Sequence, residues 1–355
     1  MHVPDGFIDA PMSAATGLVA AGAIAVSLRG ARRELGGTSR ADEEERGGER
    51  TAPLAGLVAA FIFAVQMLNF PVAAGTSGHL LGGALAAILV GPYTGVLCVS
   101  VVLLMQGVLF ADGGLTALGV NITDMAITTT LVAYAVFRGL VKILPRSRRS
   151  ITAASFVAAL LSVPAAALVF TLVYALGGTT DVSLGKVAGA MIGVHVLIGI
   201  GEAAITALTV GAVIAVRPDL VHGARGLEQR LKLRVGGELV DAAAPLEPVA
   251  ARATSRRKLW IGGLVASLVL AGFVSFYASS NPDGLEKVAA DQGIDRTAEE
   301  HASADSPLAD YGVRDVEDAR LSGGLAGVIG VGVTVVAGTG VFWAVRRRRG
   351  TSQVG

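Results

Sequence analysis

Residues 186–216, KVAGAMIGVHVLIGIGEAAITALTVGAVIAV, hold one acidic side chain, Glu202, in a run otherwise apolar or small apart from His195, two threonines and the leading Lys186. About 20 mostly apolar residues in a helix cross the hydrocarbon core of a bilayer. A helix without a polar face belongs in lipid or in a protein interior rather than at a water boundary. This stretch therefore reads as a membrane span.

Eight more stretches of the same kind lie at 12–28, 53–70, 79–91, 94–110, 119–138, 151–176, 258–278 and 321–345. Gly91-Pro92-Tyr93 divides the two shortest, 79–91 and 94–110, and two separate helices make the flanking charges fall consistently. The composition agrees: 52% of residues are hydrophobic and 16% charged, with a mean hydropathy of +0.63. The 47 glycines would weaken helices in water, whereas small residues in lipid let helix backbones approach closely. The expected fold class is an all-α polytopic membrane protein, a seven-helix bundle plus a two-helix C-terminal module. A lone Cys98 excludes a disulfide framework and a thiolate metal site.

Charge fixes the expected orientation. With the N-terminus outside and nine spans, the inside loops 29–52, 138–150, 217–258 and 346–355 carry 24 of the 29 Lys and Arg residues. The positive-inside rule favours that arrangement over its inverse. The N-terminus lacks the basic region of a signal peptide, so Met1 is expected to stay on the mature chain. Three regions are expected: a seven-span membrane domain at 1–220, a cytoplasmic linker at 221–257, and a module at 258–348 with two spans around an acidic outside segment, 279–320. The polar loop 29–52 reads as solvated. The net charge of +1 names no partner, and nothing in the chain suggests nucleic acid.

Of the five histidines, His2 carries the most chemistry. A free amine followed by His offers the Met1 nitrogen, the residue-2 backbone nitrogen and Nδ1 of His2 as two fused chelate rings. A fourth nitrogen would complete a square plane, a geometry suited to Ni(II) or Cu(II). An accidental terminal His is the competing reading. His79, in Gly75-Thr76-Ser77-Gly78-His79-Leu80, sits where irregular backbone could line a cavity; a helix start with a half-exposed His is the alternative. His195 and Glu202 lie seven apart on one helix face and read as a buried pair or as support for a site. Glu202 is the one acid read as deep within the first seven spans. Asp112, Asn121 and Asp124 flank an outer loop and would orient ligands or cap helices. His222 and His301 read as solvated surface. The spacings Ala21-x-x-x-Ala25, Gly189-x-x-x-Gly193 and Gly323-x-x-x-Gly327 read as packing seams. No Walker A loop is present, so ATP hydrolysis by that route is not expected of this chain.

The opening Met1-His2-Val3-Pro4-Asp5-Gly6-Phe7 resembles the start of the CbiM/NikM family, the substrate-binding membrane components of energy-coupling-factor importers for cobalt and nickel. The likeness continues through Asn69-Phe70-Pro71, Gly75 to Gly83, Gly91-Pro92, Gln106, Asp112 to Gly119 and Asn121, and covers roughly 1–220. Residues 281–286, Asn-Pro-Asp-Gly-Leu-Glu, resemble the P-D-G-L-E signature of the small NikN-type component, so the chain is similar to a fused protein. Thr123-Asp124 departs from the apolar or amide residues the family pattern would place there. The resemblance implies a metal held by Met1, His2 and His79. It also implies a non-catalytic substrate-capture component with no cofactor, its ligand Ni²⁺ or Co²⁺, with nickel slightly favoured. The implied partners are two cytoplasmic ATPase subunits and one scaffold transmembrane subunit, in the plasma membrane of a bacterium or archaeon. A stand-alone ion-coupled transporter or a membrane metal sensor would be the rival readings.

Overall fold

A computed structural model describes residues 1–35, 51–73, 75–145, 147–224, 232–235, 238–241 and 256–347. Residues 36–50 of the polar loop, most of the linker and the basic tail lie outside the described residues.

The first region is built of seven helical segments. They are α1 (Ala10–Leu35), α2 (Thr51–Gln66), α3 (Gly83–Val90), α4 (Pro92–Leu109), α5 (Leu118–Ile143), α6 (Arg148–Gly177) and α7 (Leu184–Val216). The second region holds α8 (Arg256–Gly272), the short α9 (Gly284–Gln292) and α10 (Ala319–Arg347). The architecture is thus all-α, seven plus two. Two short antiparallel pairs interrupt it. Phe70–Pro71 (β1) pairs with Ser77–Gly78 (β2) beside the bundle. Lys232–Val235 (β3) pairs with Glu238–Asp241 (β4) inside what reads from sequence as a linker. Seven described helices are long and apolar enough to cross a membrane; α2 is apolar but shorter.

The third expected span departs from a full crossing. α3 has 8 residues, every one buried; at about 1.5 Å per residue it runs only about 12 Å. Gly82 (φ +92) and Gly91 (φ +101) bend the chain at its two ends, a conformation an L side chain adopts only with strain. The non-helical backbone ahead of α3 is still satisfied. Glu202 on α7 accepts from the Leu81 amide at 2.7 Å and the Gly82 amide at 3.2 Å. Gln66 on α2 donates to the Leu81 carbonyl at 3.0 Å. Irregular backbone inside a membrane bundle persists only when the protein itself supplies such partners.

Glu202 is therefore not paired with His195, as the heptad spacing suggests; it caps a chain break instead. Nor is it the sole deep acid. Asp124 lies wholly buried in a π-helical stretch of α5, Ile122–Thr128, and neither of its carboxylate oxygens has a hydrogen-bond partner among the described residues. The cap expected of it is absent.

The two regions pack through small residues. A Cβ at Gly56 of α2 would fall 2.3 Å from Thr339 Oγ1 of α10, and within the second region one at Gly327 would fall 2.4 Å from the Ala271 carbonyl of α8. The seam at Gly327 is thus a real close approach. The other two expected seams are not: Gly189 and Gly193 face no atom within 4 Å, and Ala21 and Ala25 are exposed.

Candidate metal centre

The chain begins inside the protein. Met1 is 2% exposed, and its segment is threaded between the ends of α4, α5 and α7. Asn121 clamps Val3 at both backbone groups, its Oδ1 accepting from the Val3 amide at 2.7 Å and its Nδ2 donating to the Val3 carbonyl at 3.2 Å. Asp5 accepts from the Thr116 amide and hydroxyl at 2.8 and 2.5 Å and from the Leu115 amide at 3.2 Å. The loop Asp112-Gly113-Gly114 closes over the arm because it lacks side chains there: a Cβ on Gly114 would lie 2.3 Å from the Asp5 amide.

This clamp delivers the amine to His79. The Met1 nitrogen lies 2.6 Å from His79 Nε2. Nδ1 of His79 faces the Leu80 carbonyl at 3.0 Å and so carries a proton; in the neutral ring the lone pair is then on Nε2. That is the tautomer a metal ligand requires. The His2 ring stacks on His79, centroids 5.1 Å apart and 20° from parallel. His2 Nδ1 lies 3.2 Å from Asp112 Oδ1, and Nε2 lies 3.2 Å from Gln106 Oε1. Burial pushes the His2 imidazole down to about 4, with Asp112 opposing and the amine and His79 reinforcing that shift; burial thus favours the neutral form that a metal ligand needs.

One charged partner comes from the second region. Asp283 Oδ2 accepts from the Met1 ammonium at 2.6 Å and lies 3.4 Å from His79 Nε2. Burial alone would raise its carboxyl. The ammonium and His79 outweigh that and hold it well below the usual carboxylate range. His2, His79 and Asp283 each offer a ligand atom, and these atoms lie within 4.8 Å of one another. The sequence reading did not single out Asp283. The local signal is one of helix capping only: Asp283 with Glu286 three residues on forms a capping box, which the structure contains and which marks a helix start rather than a ligand. Tyr311 is a second residue the reading passed over. Its hydroxyl donates to Asp112 Oδ2 at 2.5 Å and accepts from Gln106 Nε2 at 2.9 Å, closing the network around His2.

The remaining candidates separate. His195 lines a narrow cleft with Met1, His79, Ile198 and Gly284; its Nδ1 is bonded to the Met191 carbonyl at 2.7 Å, and its Nε2 has no partner among the described residues. Asp124 is not among the residues that meet at the amine. His301 is not a free surface residue, since its Nε2 lies 3.1 Å from the Gly113 carbonyl. His222 stands against Tyr134, ring centroids 6.1 Å apart, and is half-buried.

An N-terminal arm clamped beside an imidazole, with a second region folded over it, can be compared with known proteins. Residues 2–220 match CbiM, described as the cobalt uptake substrate-specific transmembrane region, and residues 257–347 match the PDGLE domain. The chain belongs to the CbiM family. As a CbiM-family protein with a fused PDGLE domain, it is a multi-pass membrane component of metal transport. A protein of Archaeoglobus fulgidus provisionally named a fused nickel transport protein, NikMN, is 35% identical over 287 residues, 77% of this chain and 89% of its own. The cobalt transport protein CbiM of Geobacter sulfurreducens is 31% identical over 303 residues, covering 82% and 79%. The crystal structure of a truncated transition metal transporter superposes with a TM-score of 0.51 at 25% identity, covering 61% of this chain and 99% of that one.

Proposed function

We propose that this CbiM-family chain captures Ni²⁺ or Co²⁺ at the outer face of the plasma membrane through Met1, His2 and His79, and passes the ion inward as the substrate-binding component of an ATP-driven importer. The observation that carries the reading is the Met1 nitrogen 2.6 Å from His79 Nε2. Amine and neutral imidazole are nitrogen donors of the kind that late first-row dications prefer. The backbone nitrogen and Nδ1 of His2 supply two more, provided His2 Nδ1 exchanges its contact with Asp112 for the ion. Entry of the ion displaces one proton from the ammonium and one from the His2 backbone amide, so loading releases protons.

The asymmetry of Lys and Arg supports an outside N-terminus and a cytoplasmic C-terminus. Movement of the ion across the membrane then needs energy from elsewhere, and the family likeness supports two cytoplasmic ATP-binding subunits joined by a scaffold transmembrane subunit. Nickel is slightly favoured over cobalt, on the four-nitrogen plane and on the nickel transport named for the Archaeoglobus relative. Equilibrium binding of Ni²⁺ and Co²⁺ to the full chain tests the capture step. His79→Gln should weaken binding at least a hundredfold; binding unchanged by that substitution would refute the site.

A further inference from the structure

We propose that Asp283 is itself a donor to the transported ion, so that the PDGLE module completes the metal site rather than merely covering it. This rests on the capture site proposed above.

Three separations define the geometry. Met1 N to His79 Nε2 is 2.6 Å, Met1 N to Asp283 Oδ2 is 2.6 Å, and His79 Nε2 to Asp283 Oδ2 is 3.4 Å. Two donors each about 2.1 Å from an ion and at right angles are about 3.0 Å apart. The amine, the imidazole and the carboxylate oxygen therefore already mark out one face of a coordination sphere.

Charge points the same way. The amine and the two imidazoles are neutral when they bind, and the His2 backbone nitrogen, deprotonated on binding, supplies one negative charge, so a dication held only by these donors would keep a net positive charge in a nearly dry site, which is costly. Asp283 is 7% exposed and lies at that face, while Asp112 stands beside His2 on the other side. These carboxylates offset the positive charge that remains.

The carboxylate is also held in place by a division of labour. Oδ1 accepts from the Glu286 amide at 2.8 Å and Glu286 Oε2 accepts from the Asp283 amide at 2.8 Å, closing the capping box, so Oδ2 is left for the amine. The carbonyls of Asn281 and Pro282 accept from the Ser77 hydroxyl and amide, at 2.8 and 2.9 Å, two residues before His79. Gly284 lies so close to α7 that a Cβ would fall 2.7 Å from Ile198 and 3.1 Å from His195. Every residue from 281 to 284 is thereby keyed to the strand that carries His79 or to the helix behind it. An oxygen donor makes the sphere a mixed nitrogen–oxygen one, which accommodates Co²⁺ as well as Ni²⁺.

The test uses the full chain. In crystals loaded with Co²⁺, anomalous scattering should place the ion within about 2.3 Å of Asp283 Oδ2. Asp283→Asn, which keeps the oxygen that caps α9, should weaken Co²⁺ binding at least tenfold. An ion more than about 3.5 Å from that oxygen, or Asp283→Asn binding within twofold of the parent, would overturn the proposal. Should that variant fail to fold, the map of the parent protein decides. His79→Gln, measured alongside, separates the two claims: if it abolishes binding while Asp283→Asn does not, only the role of Asp283 falls; if neither matters, the capture site itself falls.

Discussion

Glu202 on α7 accepts from the amide of Leu81 at 2.7 Å, two residues after the imidazole that meets the amino terminus. One buried carboxylate in a long helix therefore fixes the broken segment that presents His79.

Replacing Glu202 with Leu should strip both the Leu81 and Gly82 amides of their acceptor. An amide left bare in a buried setting costs about 1–3 kcal/mol, so thermal unfolding in detergent should shift down by several degrees. Metal binding should fall with it. Glu202→Gln, which retains one acceptor oxygen, should lie between the parent and the Leu variant on both measures.

Asn121→Ala should act on the arm alone. It removes both hydrogen bonds to Val3, and the bundle does not depend on them. Metal affinity should drop about thirtyfold, since two hydrogen bonds each contribute about 1 kcal/mol, while the melting temperature of the metal-free protein stays near that of the parent.

Acid should release the arm. The His2 imidazole is lowered by burial from 6.5 to about 4, so below 6.5 the detached arm binds more protons than the docked one. Docking is then at full strength above pH 6.5 and is lost as pH falls towards about 4. Asp283 is held well below the carboxylate range and keeps its pairing with the ammonium through this interval. Amide exchange at Val3 in the metal-free protein, corrected for intrinsic rates, should be slow at pH 7 and fast at pH 4.5. Equal protection at both would contradict the burial assigned to His2.

Much of this arrangement is readable from residue order. Apolar length marks the spans, and Met1, His2 and His79 stand out by donor chemistry. What sequence conceals is which distant backbone lies across a helix face. The spacing of His195 and Glu202 places them on one side of α7 and is silent about the irregular strand opposite, so Glu202 looks like a partner for His195 when its partners are amides at Leu81 and Gly82. The break around α3 turns on two glycines with positive φ, Gly82 and Gly91, among 47 glycines that look alike in the sequence. Asp283 and Tyr311 reach the site across sequence separations of 282 and 199 residues, to Met1 and Asp112, and no local pattern encodes such contacts. Gly189-x-x-x-Gly193 shows the converse: a seam motif on a face with no packing partner among the described residues.

The most direct measurement is Ni²⁺ binding to the full chain carrying a single alanine ahead of Met1, which turns the terminal amine into an amide. The account predicts at least a hundredfold loss of affinity with the fold intact, because the nitrogen 2.6 Å from His79 would no longer be a donor. Undiminished binding by the extended chain would contradict it.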